Sequence, residues 1–423
     1  MALSVIRSDR SLVRPADPTP SGTLELSGID RIPVLRCNAR TLHVFRHGPE
    51  AAQVIRGALS RALVPYYPLA GRLKESSQGL LQIECSGEGA WFVEASANCT
   101  LDSVNYFDDV TSIPYDQLLP DSVPQTKGME PLVQMQVTQF ECGGFVIGLT
   151  FCHSICDGLG AAQFLNAVGE LGRGLEQPGV APVWHRDFFP PSDHQLESVT
   201  PLPMLPPPMP SYKLEHANID ISMDQINQLK RQFNESTGLN CSAFEIVASS
   251  FWSHRTKAIN FEKNTEVNLV FFANCRQMLD PPLPKGFYGN CFFPVTITSS
   301  SDWVETASDV DVLKLIQEAK TKLAVEFGKF MEGDYMRNGE DPFAPPLRYT
   351  TLFISEWGRL GFNQIDYGWG PPIHVVPIQG SSIIPVGIVG SVPLPKKGIR
   401  LMTWSVEEDH LQSFLDLMKK KSI

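Results

Sequence analysis

Apolar residues recur along this chain at two spacings, one helical and one strand-like. Between residues 51 and 64, Val54, Ile55, Ala58, Leu59, Ala62 and Leu63 fall on one face of a helix. Pro65 and Pro68 stop that helix, because proline lacks a backbone donor and restricts the residue before it. The run Phe145-Val146-Ile147-Gly148-Leu149-Thr150-Phe151 is short, apolar and rich in β-branched and aromatic residues, which predicts a buried strand. Gly158 and Gly160 then mark a turn, and Phe164, Val168 and Leu171 share one face of a second helix. A strand is predicted over 212–221 and another over 267–272. Two capping boxes open helices, Ser222 with Gln225 and Ser242 with Glu245. The second places Phe244, Val247, Ala248, Phe251 and Trp252 inward, and 312–325 is a further amphipathic helix. Helices and strands alternate throughout, so the class is mixed α/β.

Length and composition narrow the picture. The chain has 423 residues, 43% hydrophobic and 19% charged, a globular balance with room for two domains. Its net charge of -11 argues against a nucleic-acid partner, since phosphate binding needs clustered Lys and Arg. The one dense basic run, Lys419 to Lys421, is expected to be a solvated helix tail. No stretch approaches about 18 uncharged apolar residues, so no membrane span is expected. The first ten residues carry charges and no apolar segment, and no signal peptide is expected. The nine cysteines form no CxxC pair, and Cys152 with Cys156 has no second pair to complete a zinc site. Buried, reduced cysteines and a cytosolic location are expected, with no metal. No heptad is visible, so a monomer is expected. From Glu176 to Pro210 prolines crowd the chain, which predicts an extended connector between a domain 1–175 and a domain 211–423.

The chemistry concentrates at Phe151-Cys152-His153-Ser154-Ile155-Cys156-Asp157-Gly158-Leu159-Gly160. An imidazole here sits at a strand end entering a glycine turn, where functional side chains are often presented. Histidine titrates near neutrality, so it can take and return a proton. Asp157 either orients that ring or braces its turn. Spacing alone is weak evidence: His216 and Asp220 repeat it within a predicted strand, on one face that is most simply solvated. Cys152 as a nucleophile beside His153 is disfavoured, because neighbours on a strand point to opposite faces. No Gly-x-Ser-x-Gly elbow and no phosphate-binding glycine loop is present. Asp366-Tyr367-Gly368-Trp369-Gly370-Pro371-Pro372 and Phe287-Tyr288-Gly289-Asn290 are two rigid loops, each readable as a structural corner.

Taken together, these segments resemble the plant BAHD acyl-CoA-dependent acyltransferases over essentially the whole chain. His153 to Gly158 is similar to the HxxxDG motif, and Asp366 to Gly370 to DFGWG with Tyr367 in place of Phe. Pro68 to Leu73 is similar to PLAGRL, and Phe287 to Asn290 to YFGN with its aromatics exchanged. The resemblance implies a two-domain, chloramphenicol-acetyltransferase-like fold with mixed sheets and a solvent channel between the domains. It implies His153 as general base, acyl-CoA as co-substrate, no bound cofactor, and an alcohol or amine acceptor. It implies that Asp157 pairs with Arg276 and is structural, as are Gly158 and Asp366. Trp369 becomes a candidate oxyanion donor or a packing residue, and Ser242 with Lys257 candidate contacts to CoA. Gly143 to Gly148 and Asp157 to Ala161 are similar to the benzoyltransferase, taxane and hydroxycinnamoyl subgroup, which implies an aromatic donor and O-acylation. N-acylation and a non-catalytic binding member are the alternatives. Carrier-protein condensation domains share the histidine motif but lack the two loop motifs.

Overall fold

The computed structural model describes residues 3–123, 129–188, 212–378 and 384–419. In the first half run β1 (Val5–Val13), β2 (Thr23–Glu25), β3 (Asn38–Phe45), β4 (Arg72–Glu75), β5 (Leu81–Glu84), β6 (Ala90–Ala97), β7 (Val133–Gln139) and β8 (Phe145–Cys152). In the second run β9 (Glu215–Ser222), β10 (Glu266–Asn274), β11 (Phe292–Ser300), β12 (Thr351–Glu356), β13 (His374–Pro377), β14 (Val386–Ser391) and β15 (Gly398–Val406). The helices are α1 (Ala51–Ala62), α2 (Gly158–Gly172), α3 (Met223–Thr237), α4 (Ala243–Ile259), α5 (Ser301–Thr306), α6 (Asp309–Met331), α7 (Asp334–Arg337) and α8 (Glu408–Lys419).

Two six-stranded sheets organise these elements, in the orders β1-β6-β7-β8-β3-β13 and β11-β10-β12-β14-β15-β9. Both are mixed: β6 runs parallel to β7, and β12 parallel to β10 and β14, among antiparallel neighbours. The sheets do not divide the chain at one point. β13 comes from the second half and closes the first sheet beside β3. Phe362, Ile365 and Tyr367 likewise pack into the first core, with α1 and α2.

The predicted elements form where the patterns place them, with informative differences. Ser222 and Ser242 each cap their helix through a closed box. The helix predicted over 312–325 extends over Asp309–Met331, because Ser308 caps it one turn earlier. α4 is not one-sided as expected. Ser249, Ser253, Arg255 and Thr256 are buried along with its apolar face, because α5, α6 and α8 pack around the helix as well as the sheet. His216 and Asp220 do share a face of β9, but that face is paired rather than simply solvated. The His216 ring lies 4.7 Å from that of Trp404, and Asp220 accepts from Arg400 at 2.7 and 2.8 Å. Residues 189–210 of the proline-rich segment, and Lys420 and Lys421 of the basic tail, lie outside the described residues. Six cysteines are buried, and Cys37, Cys142 and Cys241 are not.

β3 and β13 carry two buried histidines on opposite faces of the first sheet, since Val375 pairs with His43 and His374 with Val44. Burial pushes His43 down to about 3 and His374 down to about 4. In the unfolded chain both titrate at an ordinary value near 6.5. Their folded pKa values are depressed, so their contribution is complete above pH 6.5 and is lost as pH falls toward 4. Each histidine then removes at most about 1.4 kcal/mol per pH unit within that window. The melting temperature is therefore expected to fall between pH 7.5 and pH 5, and His374→Asn should flatten the fall. An identical slope in the variant would contradict this account.

Candidate active site

His153 occupies the turn between β8 and α2, where the two sheets meet. Its backbone is held from both sides. The His153 amide donates to the Cys37 carbonyl at 2.9 Å, and its carbonyl accepts from Asn290 Nδ2 at 2.8 Å. The half-buried ring has Phe151 at 6.3 Å and Phe292 at 6.4 Å. Nδ1 is buried and meets no hydrogen-bonding partner, and no described hydrogen bond engages Nε2. Cys152 is no rival nucleophile, because burial pushes its thiol up to about 11 and suppresses the thiolate.

Asp157 caps α2, accepting from the Gly160 amide on Oδ1 at 3.0 Å. The same carboxylate accepts from Arg276 Nη2 at 2.8 Å and from the Cys291 amide at 3.4 Å. Arg276 follows β10 and also donates to the Gly289 carbonyl at 2.6 Å. One carboxylate thus ties the turn carrying His153 to two loops of the second sheet. Burial works against the Arg276 charge, yet Asp157 outweighs it and holds the guanidinium above its ordinary value. The loops touch closely enough to require glycine: a Cβ on Gly160 would stand 1.9 Å from the Tyr288 carbonyl oxygen. Gly158, the first residue of α2, faces the Leu360 side chain.

A second buried node was not foreseen from sequence. Asp30 accepts from Asn290 Nδ2 at 2.7 Å and faces Arg186 Nε at 3.4 Å, with both charged side chains almost fully buried. Arg186 donates to the Ile155 carbonyl at 2.7 Å, and its guanidinium lies 4.2 Å from the Trp184 ring. Arg186 therefore braces the histidine turn from inside the segment read as a connector. The signal was present as a single arginine among prolines and aromatics, yet nothing local announces its distant partner Asp30.

The expectation of Trp369 as an oxyanion donor requires correction. The Trp369 ring packs 5.7 Å from that of Phe145, at the opposite end of β8 from His153. Eight residues of strand separate the two, about 26 Å. α2 supplies a second ruler, because Arg173 at its far end donates to the Asp366 carbonyl, and fifteen residues of helix span about 22 Å. Trp369 is thus too remote to donate to an oxyanion at His153, and it packs as a corner. Asp366 shapes that corner by accepting from the amides of Gly368 and Gly370 at 2.7 and 2.9 Å. Both glycines need their positive φ of 109° and 91°. At the start of α4 the box is closed, with Ser242 Oγ accepting from the Glu245 amide and the Glu245 carboxylate from the Ser242 amide, and that carboxylate is bonded to Lys320. Lys257, the other candidate contact to CoA, lies in the last turn of α4, fifteen residues and about 22 Å from Ser242. Among the described residues no group of three His, Cys, Asp or Glu could hold a metal. No helix among them is long and apolar enough to cross a membrane.

This architecture is shared with known proteins. Vinorine synthase has the same fold, with a TM-score of 0.74 at 22% identity over 97% of this chain and 96% of that one. In sequence the chain is 43% identical to acyl transferase 4 of Oryza sativa subsp. japonica, covering 99% of each. It is 36% identical to a myricetin 3-O-glucosyl 1,2-rhamnoside 6'-O-caffeoyltransferase of Crocosmia x crocosmiiflora, again over 99% of each. The family model described as the Transferase family matches residues 3–398. With that match over nearly the whole chain, and a histidine turn clamped between two mixed sheets, the protein belongs to the BAHD transferase family and is an acyl-CoA-dependent acyltransferase.

Proposed function

We propose that the enzyme transfers an aromatic acyl group, hydroxycinnamoyl or benzoyl, from its CoA thioester to a hydroxyl of a specialised metabolite, with His153 as general base. The observation that carries this reading is the backbone of His153, clamped by the Cys37 carbonyl and the Asn290 amide, which fixes the base of a half-buried imidazole. The caffeoyltransferase relative supports an aromatic donor. In this reading the two domains are built mainly from residues 1–175 and 211–423, with β13 and the loop before it crossing into the first, and donor and acceptor reach His153 from opposite ends of a channel between them.

The neutral imidazole takes the acceptor hydroxyl proton as the oxygen attacks the thioester carbonyl. A tetrahedral oxyanion forms. Its collapse breaks the carbon–sulfur bond, and the imidazolium returns the proton to the departing thiolate. The products are an ester and free CoA thiol, with no acyl-enzyme. Proton transfer of this kind contributes about 10²–10⁴-fold, and holding both substrates in place contributes much of the rest. The enzyme needs no resident cofactor and works as a cytosolic monomer.

Thiol release from p-coumaroyl-CoA, benzoyl-CoA and acetyl-CoA, each with a panel of alcohols and amines, tests the proposal. Aromatic donors with an alcohol are expected to exceed acetyl-CoA by at least about tenfold in kcat/KM, the discrimination a shaped apolar pocket supplies. Preferred amide formation would overturn the alcohol assignment. A preference for acetyl-CoA would overturn the donor assignment.

A further inference from the structure

A row of aromatic rings leads away from His153 along the second sheet. Phe292, the first residue of β11, lies 6.4 Å from the histidine ring. The Phe272 ring lies 5.4 Å from Phe292 at 81°, and the Phe343 ring lies 6.0 Å from it at 63°. Phe272 sits on β10 and Phe343 in the chain between α7 and β12. Phe271 turns into the core against Phe244, so Phe272 points from the other face of the sheet. Phe272 is 45% exposed, while Phe292 and Phe343 are half-buried. A lone exposed phenylalanine needs no explanation, but contiguous apolar surface reaching a reactive group does.

We infer that Phe272, Phe292 and Phe343 form the wall against which the aryl ring of the acyl donor lies, making Phe272 a specificity-determining residue. This rests on the proposed aromatic donor. The assignment to the donor follows from its chemistry. An aryl ring conjugated to the reacting carbonyl must lie within a few ångströms of it in every productive complex. An acceptor's ring carries no such constraint. Rings at 5–6 Å in tilted or edge-on arrangement are also the geometry aromatic pairs prefer.

Phe272→Leu keeps apolar volume and removes the π face at an exposed position, so the melting temperature should not move. Dissociation constants for p-coumaroyl-CoA and acetyl-CoA, measured on the wild type and the variant, read the effect without any acceptor. The variant is expected to weaken p-coumaroyl-CoA by about three- to tenfold and to leave acetyl-CoA unchanged. Phe343→Leu should act in the same direction. Equal weakening of both thioesters, or of neither, overturns the wall while leaving the aromatic-donor reading intact. Weakened binding of p-coumaryl alcohol alone moves the wall to the acceptor and also overturns the inference. A wild type that prefers acetyl-CoA overturns the wall and the donor reading together.

Discussion

Replacing His153 with alanine is expected to lower kcat/KM by at least about 10²–10⁴-fold, the contribution of a positioned general base. Thermal stability should stay close to that of the wild type. The reason lies in how the residue is held. Its amide bonds Cys37 and its carbonyl takes the Asn290 amide, and both contacts survive truncation of the ring. His153→Gln keeps hydrogen-bonding capacity without a base of suitable pKa, and should be as inactive as the alanine variant. Thiol release beside a thermal melt separates the outcomes. Turnover within tenfold of wild type in the alanine variant would remove His153 from the mechanism.

Asp157→Ala is expected to be the most damaging single change to the fold near the site. Its side chain and that of Arg276 are only 11% and 12% exposed. Removing the carboxylate leaves the guanidinium buried without its counter-charge, which costs about 3–5 kcal/mol. It also uncaps α2, adding about 1 kcal/mol, and loosens the Cys291 amide. Low soluble yield, a melting temperature lower by many degrees, and reduced activity should appear together. Asp157→Asn keeps an oxygen for the Gly160 amide but not the charge, so it should fall between the alanine variant and wild type. An Asp157→Ala protein with an unchanged melting temperature and no activity would instead place the carboxylate in the chemistry.

Asp157 supports His153 in concert with the buried Asp30–Arg186 pair and the Asn290 amide. Together they clip the same turn to three distant parts of the chain. Rigid support of this kind matters because a general base works only within hydrogen-bond reach of the proton it takes. The same rigidity explains why four charged side chains, Asp30, Asp157, Arg186 and Arg276, are tolerated in buried positions beside the turn, since each finds an opposite charge.

Much of this protein was written locally and could be read locally. Apolar periodicity located α1, α2, α4 and α6, the serine boxes located two helix starts, and the His153 motif stood at a strand end before a glycine turn. These features depend on backbone geometry and hydrogen bonds spanning a few residues, so neighbours in sequence suffice to specify them. The closed box at the α4 start was legible too, because Ser242 and Glu245 stand at the spacing that lets each bond the other's amide. The three-dimensional packing alone decided the rest. It separated Trp369 from His153 by the length of a strand, although their motifs belong to one family signature. It carried β13 back into the first sheet, and it set Asp30 against Asn290, 260 residues apart. Such pairings come from the docking of whole sheets and helices, where the burial of many apolar side chains fixes which distant polar groups must meet. No spacing along the chain encodes that distance.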